Sequence, residues 1–324
     1  MRNLLRSLVI AALPLVAVPA VAADGDFLKR PATIIVPYAA GSVGETLARM
    51  IGEAMEPSVG QRILIETKGG AGGNIGTAAV VRAAPDGHTL VLAATSNFVV
   101  NQFLYRDMGF DPLKDLEPVM LVADVPSFLY VRGTLPVSTL GEFVAYAKAN
   151  PGKVNYASPG AGSTPHLTAE LLNQVAGAGM QHIPYRGAGP AITAMLSGEV
   201  DLYLAGLAAG RQHLPSGKLR AVAVASRERQ AAAPDVPTTA EAGFPAVLGS
   251  NWWGLAAPKG TPPEIVDRWA REVASALASP SVQRRFVELG LVSMGIAPKP
   301  FAERLRTEAA GWKKIVETAK ISID

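Results

Sequence analysis

Short apolar runs alternate with stretches in which apolar residues recur at helical spacing. Leu47, Met50 and Ile51 lie on one such helical face, and Leu140, Phe143 and Val144 on another. Further helices are predicted at about 165–176, at 189–197 and over most of the chain after residue 258. The predicted strands are Thr33–Pro37, Arg62–Glu66, Thr89–Ala94, Val119–Ala123, Phe128–Val131, Val154–Ala157, Gln181–Tyr185, Val200–Leu204 and Leu219–Ala223. This alternation predicts an α/β protein with mostly parallel sheets covered on both faces.

The first 23 residues have the pattern of a cleavable signal peptide. Arg2 and Arg6 precede the apolar run 8–18, and Val21-Ala22-Ala23 supplies small residues before Asp24. The sequence therefore predicts export to the periplasm. Cleavage would leave 301 of the 324 residues, enough for two domains, and would lower the formal charge from +3 to +1. A nearly neutral chain gives no electrostatic reason to expect a nucleic-acid partner.

Composition and motifs argue against several kinds of chemistry. The chain has no cysteine, so disulfides, thiol catalysis and iron–sulfur clusters are excluded, and its four histidines lack the spacing of a zinc protease. There is no phosphate-binding loop of the Gly-Lys-Ser/Thr type. The glycine-rich segment 69–76 has Ile75 where a dinucleotide fingerprint needs glycine, and we expect Asn74 to cap the next helix. We therefore expect no cofactor and no metal.

Two junctions between a strand and a helix have the composition of anion sites. A helix start presents unpaired N–H groups and partial positive charge, and glycine lets a ligand approach them. The Tyr38 turn comprises residues 38–45; because Ser42 and Glu45 have the spacing of a capping box, this turn could instead only close its own helix. The Ser158 turn comprises residues 158–166, where Pro165 predicts Thr164 as the helix cap, with the preceding N–H groups directed outward. His166 could also be a local packing residue.

Two further positions are candidates with an equally simple structural alternative. Tyr185 and Arg186 precede a third glycine-rich helix start, and Arg186 could pair with a carboxylate or remain a solvated surface arginine. Asp201 could orient a ligand or cap a neighbouring loop. The chain has no Gly-x-Ser-x-Gly elbow and no acidic pair in these turns, which favours binding over catalysis. A hydrolase using Ser163 or Ser96 with His166, and an exported scaffold or sensory protein, are the alternatives.

The chain resembles the Bug-type, TctC-like extracytoplasmic receptors of tripartite tricarboxylate transporters. The similarity extends over roughly 31–324. The matching residues are Ile35-Val36-Pro37-Tyr38, Leu47-Ala48-Arg49, Gly69-Gly70-Ala71-Gly72-Gly73-Asn74-Ile75-Gly76, Ala84-Pro85-Asp86-Gly87-His88-Thr89-Leu90, Pro151-Gly152-Lys153-Val154-Asn155-Tyr156-Ala157-Ser158, His182-Ile183-Pro184-Tyr185-Arg186-Gly187, Pro234-Asp235-Val236-Pro237-Thr238 and Trp253-Gly254-Leu255-Ala256-Ala257-Pro258.

This resemblance implies a periplasmic-binding-protein fold of the type II kind, with two α/β lobes, two crossovers and a ligand cleft. The expected division is 24–124 and 229–324 for the first lobe and 125–228 for the second. The implied ligand is a small carboxylate held by backbone N–H groups and hydroxyls, and the implied partners are integral membrane transporter subunits. We expect a monomer. The predicted ligand-binding residues are Tyr38, Ala40, Gly41, Ser42, Val43, Gly44, Glu45, Thr95, Ser96, Asn97, Ser158, Gly162, Ser163, Thr164, His166, Tyr185, Arg186 and Asp201.

Two departures from the family pattern bear on the ligand. Family members usually have Gly-Gly-x-x-Asp in the first loop, whereas Ser42 replaces a glycine and Glu45 replaces the aspartate. A longer carboxylate and a lost glycine change the shape of that turn. Residues 202–206 are more apolar than expected, which suggests a larger or aromatic acid.

Overall fold

The computed structural model describes residues 28–185, 187–319 and 323, so the predicted signal peptide and Arg186 lie outside the described residues. The strands are β1 (Ala32–Val36), β2 (Ile63–Thr67), β3 (Thr89–Ala94), β4 (Leu116–Asp124), β5 (Phe128–Arg132), β6 (Asn155–Ser158), β7 (Gln181–Pro184), β8 (Leu202–Ala205), β9 (Leu219–Val224), β10 (Trp253–Pro258) and β11 (Val292–Ile296). The helices are α1 (Val43–Val59), α2 (Asn74–Val81), α3 (Pro112–Asp115), α4 (Leu140–Ala149), α5 (Thr164–Ala176), α6 (Ala188–Ser197), α7 (Leu207–Gly210), α8 (Pro263–Ala278), α9 (Pro280–Leu289) and α10 (Pro298–Ala319).

The strands form two sheets. The first has six strands in the order β11-β4-β10-β3-β1-β2, and the second has five in the order β7-β6-β8-β5-β9. Three neighbouring strands are parallel in each sheet, β3-β1-β2 in the first and β7-β6-β8 in the second, while β10 and β5 run antiparallel to both neighbours. The sheets are therefore mixed rather than mostly parallel. The edge strand β11 is also antiparallel to its neighbour β4. β5 and β10 each follow a passage between the sheets, and a local apolar pattern does not encode the direction of entry.

Helices cover both faces of each sheet. In the first sheet, one face packs against α1, with Leu47 and Ile51 fully buried, and the other packs against α10 through Phe301. The second sheet packs Phe143 of α4 on one face and Met195 of α6 on the other. Burying each such side chain stabilises the fold by roughly 1.5–3 kcal/mol. None of the helices in the described ranges is both long and apolar enough to span a membrane.

The segment after β9 packs against the second sheet. Thr239 N–H donates to Val224 O at 2.9 Å, Gly249 N–H donates to Ala225 O at 3.0 Å, and Val247 is buried in the core of that sheet. The sequence assigned residues from 229 onward to the first lobe. We therefore propose that the chain returns to the first lobe later, through Ser250–Trp252.

Three helix starts test the predicted caps. Thr139 and Glu142 form the predicted capping box of α4. The cap of α5 is Ser163 rather than Thr164, because Pro165 occupies the second helical position instead of the first. Asn74 is not the cap of α2 but its first residue; Gly73 precedes it in a left-handed conformation, with φ of 93°.

Candidate functional site

The Tyr38 turn follows the carboxyl end of β1, and the side chain of Tyr38 is held by aromatic and polar contacts. The Tyr38 hydroxyl donates to Asn97 Oδ1 at 2.6 Å and lies 3.1 Å from Ser96 Oγ. Its ring makes an edge contact with Trp253, with centroids 5.2 Å apart. Burial raises the pKa of Tyr38 to about 12, so the phenol stays protonated and able to donate. Tyr38 therefore supports the turn through these contacts.

One backbone N–H of the Tyr38 turn is hydrogen-bonded to a carboxylate of the protein itself, that of Glu45. Glu45 Oε2 accepts from Gly41 N–H at 2.7 Å, and Glu45 Oε1 accepts from Arg49 at 2.9 Å (Nε) and 2.6 Å (Nη2). The Gly41 N–H bond, and then Arg49, lowers the pKa of Glu45 below its ordinary value. Ser42 Oγ accepts from Glu45 N–H at 3.3 Å, which is one half of the predicted capping box. The other half does not form, because the Glu45 side chain accepts from Gly41 N–H instead of Ser42 N–H.

Two of the remaining residues of this turn are exposed, and one is packed against the sheet. Ala40 and Val43 are exposed. Gly44 is buried, and a Cβ at this position would lie 2.1 Å from the Trp253 ring. The glycine is thus required for packing of the helix start against the sheet.

The residues Thr95, Ser96 and Asn97 are buried and connect the loops of the first lobe. Thr95 donates to Trp252 O through its backbone N–H, at 2.9 Å, and through its hydroxyl, at 3.2 Å. Asn97 accepts from Tyr38 and donates through Nδ2 to Gly72 O at 2.9 Å. The loops that follow β1, β2 and β3 are therefore joined at the carboxyl ends of three parallel strands.

Asn101 belongs to the same network and was missed by the sequence analysis. Its Nδ2 donates to Gly72 O at 3.1 Å and to Asn74 Oδ1 at 2.7 Å. These bonds fix the glycine-rich loop from the inside. An asparagine four residues after Asn97 was the available signal.

The Ser158 turn satisfies several of its own N–H groups. Gly160 N–H donates to Ser158 Oγ at 3.2 Å, and Gly162 N–H donates to His166 Nδ1 at 3.0 Å. Ser163 N–H donates to Gly160 O at 3.2 Å, and Ser163 Oγ caps the helix. The expectation that the N–H groups before the helix point outward is therefore wrong for Gly160, Gly162 and Ser163.

His166 is buried and belongs to a ring stack that includes His182, a residue the sequence analysis did not select. The two imidazole centroids are 3.7 Å apart, and the Tyr156 ring lies 5.0 Å from His182 and 6.2 Å from His166. Burial, with a smaller effect of His182, lowers the pKa of His166 to about 3, and burial lowers that of His182 to about 4. Both rings are therefore neutral near pH 7.

The last two described candidates, Tyr185 and Asp201, lie at opposite ends of the second sheet. Tyr185 N–H donates to Ser158 O at 2.9 Å, so its backbone adjoins the Ser158 turn, but its hydroxyl donates to Glu199 at 2.8 Å. Asp201 lies at the amino end of β8, opposite to Ser158, where it accepts from Arg132 Nε at 2.6 Å and from Asn155 N–H at 2.9 Å. Asp201 thus ties a neighbouring loop and is not brought to the Ser158 turn. Arg186 lies outside the described residues.

The Ser158 turn contacts the first lobe. A Cβ on Gly162 would lie 2.3 Å from Leu104 Cδ1, and Leu104 ends the segment that carries Ser96 and Asn97. The Thr164 hydroxyl is 3.5 Å from Asn251 Oδ1 on the return passage. The structure therefore brings the Ser158 turn beside the loop that supports Tyr38.

Two open grooves occur elsewhere on the first lobe. One, of about 570 Å³, lies between α1 and α9 and is lined by Arg49 and Arg285 among others, and a second, of about 280 Å³, lies beside Ile75 and Tyr105. Neither is lined by residues of the Ser158 turn. They do not define the candidate site.

Two mixed α/β lobes joined by passages of chain, with strand-end turns from both lobes in proximity, define a periplasmic binding protein. The profile of the tripartite tricarboxylate transporter family receptor (TctC) matches residues 47–321. The chain belongs to this family. The predictions of family and fold are thereby confirmed.

Three solved structures are similar over nearly their whole length. The periplasmic binding protein BugD is 34% identical, with a TM-score of 0.82 over 91% of this chain and 99% of BugD. Rpa4515 from R. palustris, solved with adipate, is 33% identical, with a TM-score of 0.84 over 91% of this chain and 98% of its own. MatC (Rpa3494) from Rhodopseudomonas palustris, solved with bound malate, is 34% identical, with a TM-score of 0.80 over 89% of this chain and 99% of MatC.

Proposed function

We propose that this protein is an extracytoplasmic receptor that binds a small organic carboxylate between its lobes and delivers it to the membrane subunits of a tripartite tricarboxylate-type transporter. The observation that carries the proposal is the contact of Gly162 with Leu104, which brings a turn of the second lobe beside the supported loops of the first. Family membership and the adipate and malate complexes of similar proteins support a carboxylate as the solute.

In this proposal the solute carboxylate takes the place of Glu45 on the Tyr38 turn. Gly41 N–H, at 2.7 Å from Glu45 Oε2, is already paired with an anion, so its direction suits a carboxylate. Hydrogen bonds to a charged acceptor contribute roughly 1.5–3 kcal/mol each. A few of them suffice for micromolar affinity at about −8 kcal/mol, after the cost of association.

The arrangement of Ser163 and His166 supports binding rather than hydrolysis. Ser163 Oγ donates to Gly160 O at 2.7 Å, and its contact with His166 is with the backbone N–H, at 3.4 Å. The imidazole Nδ1 faces Gly162 N–H instead. The serine and the imidazole are therefore not arranged as a nucleophile and its base.

The test is thermal unfolding of the chain without residues 1–23 against mono-, di- and tricarboxylates, including adipate, malate and benzoate. A solute at 100 times its Kd adds about 2.7 kcal/mol of stability. For a chain of this size we expect the midpoint to rise by about 4 °C. Absence of any shift across the panel would contradict the proposal. Co-purification with transporter subunits, with and without the bound acid, tests the partner.

A further inference from the structure

The stacked imidazoles of His166 and His182 lie directly beneath the Ser158 turn and bond to it at two points. Gly162 N–H donates to His166 Nδ1 at 3.0 Å, and His182 Nε2 lies 2.7 Å from Ser158 Oγ. The rings are 3.7 Å apart and inclined by only 15°. The two histidines come from different elements, α5 and β7, so their contact also joins that helix to that strand.

The hydrogen bonds fix the proton of His166 and are compatible with a proton on His182 Nε2. Because Nδ1 of His166 accepts from an amide, it carries no proton, and neutral His166 is protonated at Nε2. Ser158 Oγ accepts from Gly160 N–H at 3.2 Å and lies 2.9 Å from Gly160 O. When its single proton goes to that carbonyl, the contact with His182 is satisfied by a proton on His182 Nε2. Every polar contact of the cluster is then satisfied with both rings neutral.

The surroundings of the stack favour this neutral state. Two cations with centroids 3.7 Å apart would repel each other. Among the described residues, Tyr156 of β6 is the titratable ring that packs on both imidazoles, and its hydroxyl donates to Glu170 Oε2 of α5 at 2.9 Å. The nearby carboxylate is thus bonded to the phenol. The lowered pKa values of both histidines agree with this geometry.

We infer that His166 and His182 are positioning residues, whose two hydrogen bonds to Gly162 and Ser158 set the shape in which the Ser158 turn meets a bound carboxylate. The identity of the ligand rests on the proposed function, whereas the role of the two hydrogen bonds in holding the turn does not. Within the turn, one histidine fixes the amide next to the contact with Leu104, and the other fixes the hydroxyl that orients Gly160. Removing either bond would let the turn relax without opening the core.

Conservative variants separate the hydrogen bond from the stacking. His182→Gln places an amide N–H donor near the position of Nε2, and His166→Asn places an oxygen acceptor near Nδ1. His182→Phe and His166→Phe keep an aromatic ring and lose the bonds. His213→Gln, at a histidine whose ring contacts Gln212, is the matched control.

Calorimetric titration with adipate and malate at pH 7.5 gives the first readout. We expect each Phe variant to bind about tenfold or more weakly, while Gln at 182 and Asn at 166 bind within about threefold of the parent chain. Melting temperatures taken in parallel show that the weaker variants remain folded. Equal affinity of the Phe and amide variants would overturn the inference, because the role would then be one of packing alone.

Hydrogen exchange of the Gly162 amide gives a second readout that needs no ligand. We expect exchange to be about tenfold faster in His166→Phe and close to that of the parent chain in His166→Asn. Unchanged protection in His166→Phe would overturn the inference. If the parent chain binds no acid of the panel, the proposed function fails, and the exchange comparison still decides whether the histidines hold the turn.

Discussion

The two candidate turns satisfy their amides in contrasting ways. In the Tyr38 turn, an ionised carboxylate, Glu45, accepts from Gly41 and is held by the exposed Arg49. In the Ser158 turn, a buried neutral imidazole, His166, accepts from Gly162. The bonded pairs have the same spacing of four residues. One turn is thus closed by a charged group and the other by a neutral group. Under the proposed function, a solute carboxylate exchanges with the first and leaves the second in place.

This difference suggests a division of roles between the lobes. Under the proposed function, the half-buried Glu45 carboxylate on Gly41 exchanges with that of the solute, since water and Arg49 stabilise it when it leaves. The Ser158 turn is anchored in the core of the second lobe, so its shape persists in the absence of a solute. We expect changes of charge to act mainly through the Tyr38 turn, and changes of packing or proton binding to act mainly through the Ser158 turn.

The largest expected effect is the loss of stability in acid that arises from the histidine pair. In the unfolded chain both rings become protonated below pH 6.5. In the folded chain His182 stays neutral down to about pH 4 and His166 down to about pH 3. Their contribution is therefore complete above pH 6.5 and is lost as the pH falls, by about 1.4 kcal/mol per ring and pH unit. Between pH 6.5 and 5 the two rings together should lose at most about 3 kcal/mol.

Urea unfolding at pH 7, 6 and 5 measures this loss. The double variant His166→Asn, His182→Gln cannot bind these protons, so its stability should fall less steeply over the same range. Parallel slopes for the variant and the parent chain would show that the folded rings titrate normally and would remove the basis for treating the Ser158 turn as neutral.

The next effect concerns the contact between the lobes at Gly162. Gly162 and Gly177 both have positive φ, at 73° and 60°, but a Cβ meets Leu104 at 2.3 Å only in Gly162; at Gly177 nothing lies within 4 Å. Gly177→Ala should cost about 1 kcal/mol of unfolding free energy through backbone strain. Gly162→Ala adds overpacking and should cost about 2–4 kcal/mol. Equal costs in urea unfolding would mean that the lobes do not press together at this point.

The smallest effect concerns the charge on the Tyr38 turn. Glu45→Gln weakens the internal competitor for Gly41 N–H, so affinity for a dicarboxylate should rise by roughly twofold to fivefold. Glu142→Gln changes an equivalent capping residue on α4 of the second lobe and should leave affinity unchanged. Titration calorimetry at low ionic strength compares the two. Weaker binding by Glu45→Gln would indicate that Glu45 contacts the solute instead of yielding to it.

Much of the fold could be predicted because its signals are local. Thr139 and Glu142 lie three residues apart and form the expected capping box, and glycine and hydroxyl residues mark the strand ends that the structure brings together. The direction of β5 was not predictable in this way, since it depends on how the chain enters a second sheet. The strands β10 and β11 were not predicted at all. The assignment of residues 229–249 depends on Val247 and Thr239 meeting a distant core, which no local pattern records.

The site was less predictable, for a physical reason. Glycine next to a helix start indicates available N–H groups but not whether the chain itself will use them. The spacings Gly41–Glu45 and Gly162–His166 do place an acceptor one helical turn away, and this signal was present in the sequence. His182 could be recognised only through the pairing of β6 with β7, which sets it beside Tyr156.

Trp252 gives one further consequence. Its carbonyl accepts both the amide and the hydroxyl of Thr95, at 2.9 and 3.2 Å, and it lies on the strand of chain by which the second lobe rejoins the first. Thr95 directly precedes Ser96 and Asn97, which hold Tyr38. The passage between the lobes and the loop that holds Tyr38 therefore share a single peptide oxygen. A change in the path of that passage should thus shift the residues that support Tyr38.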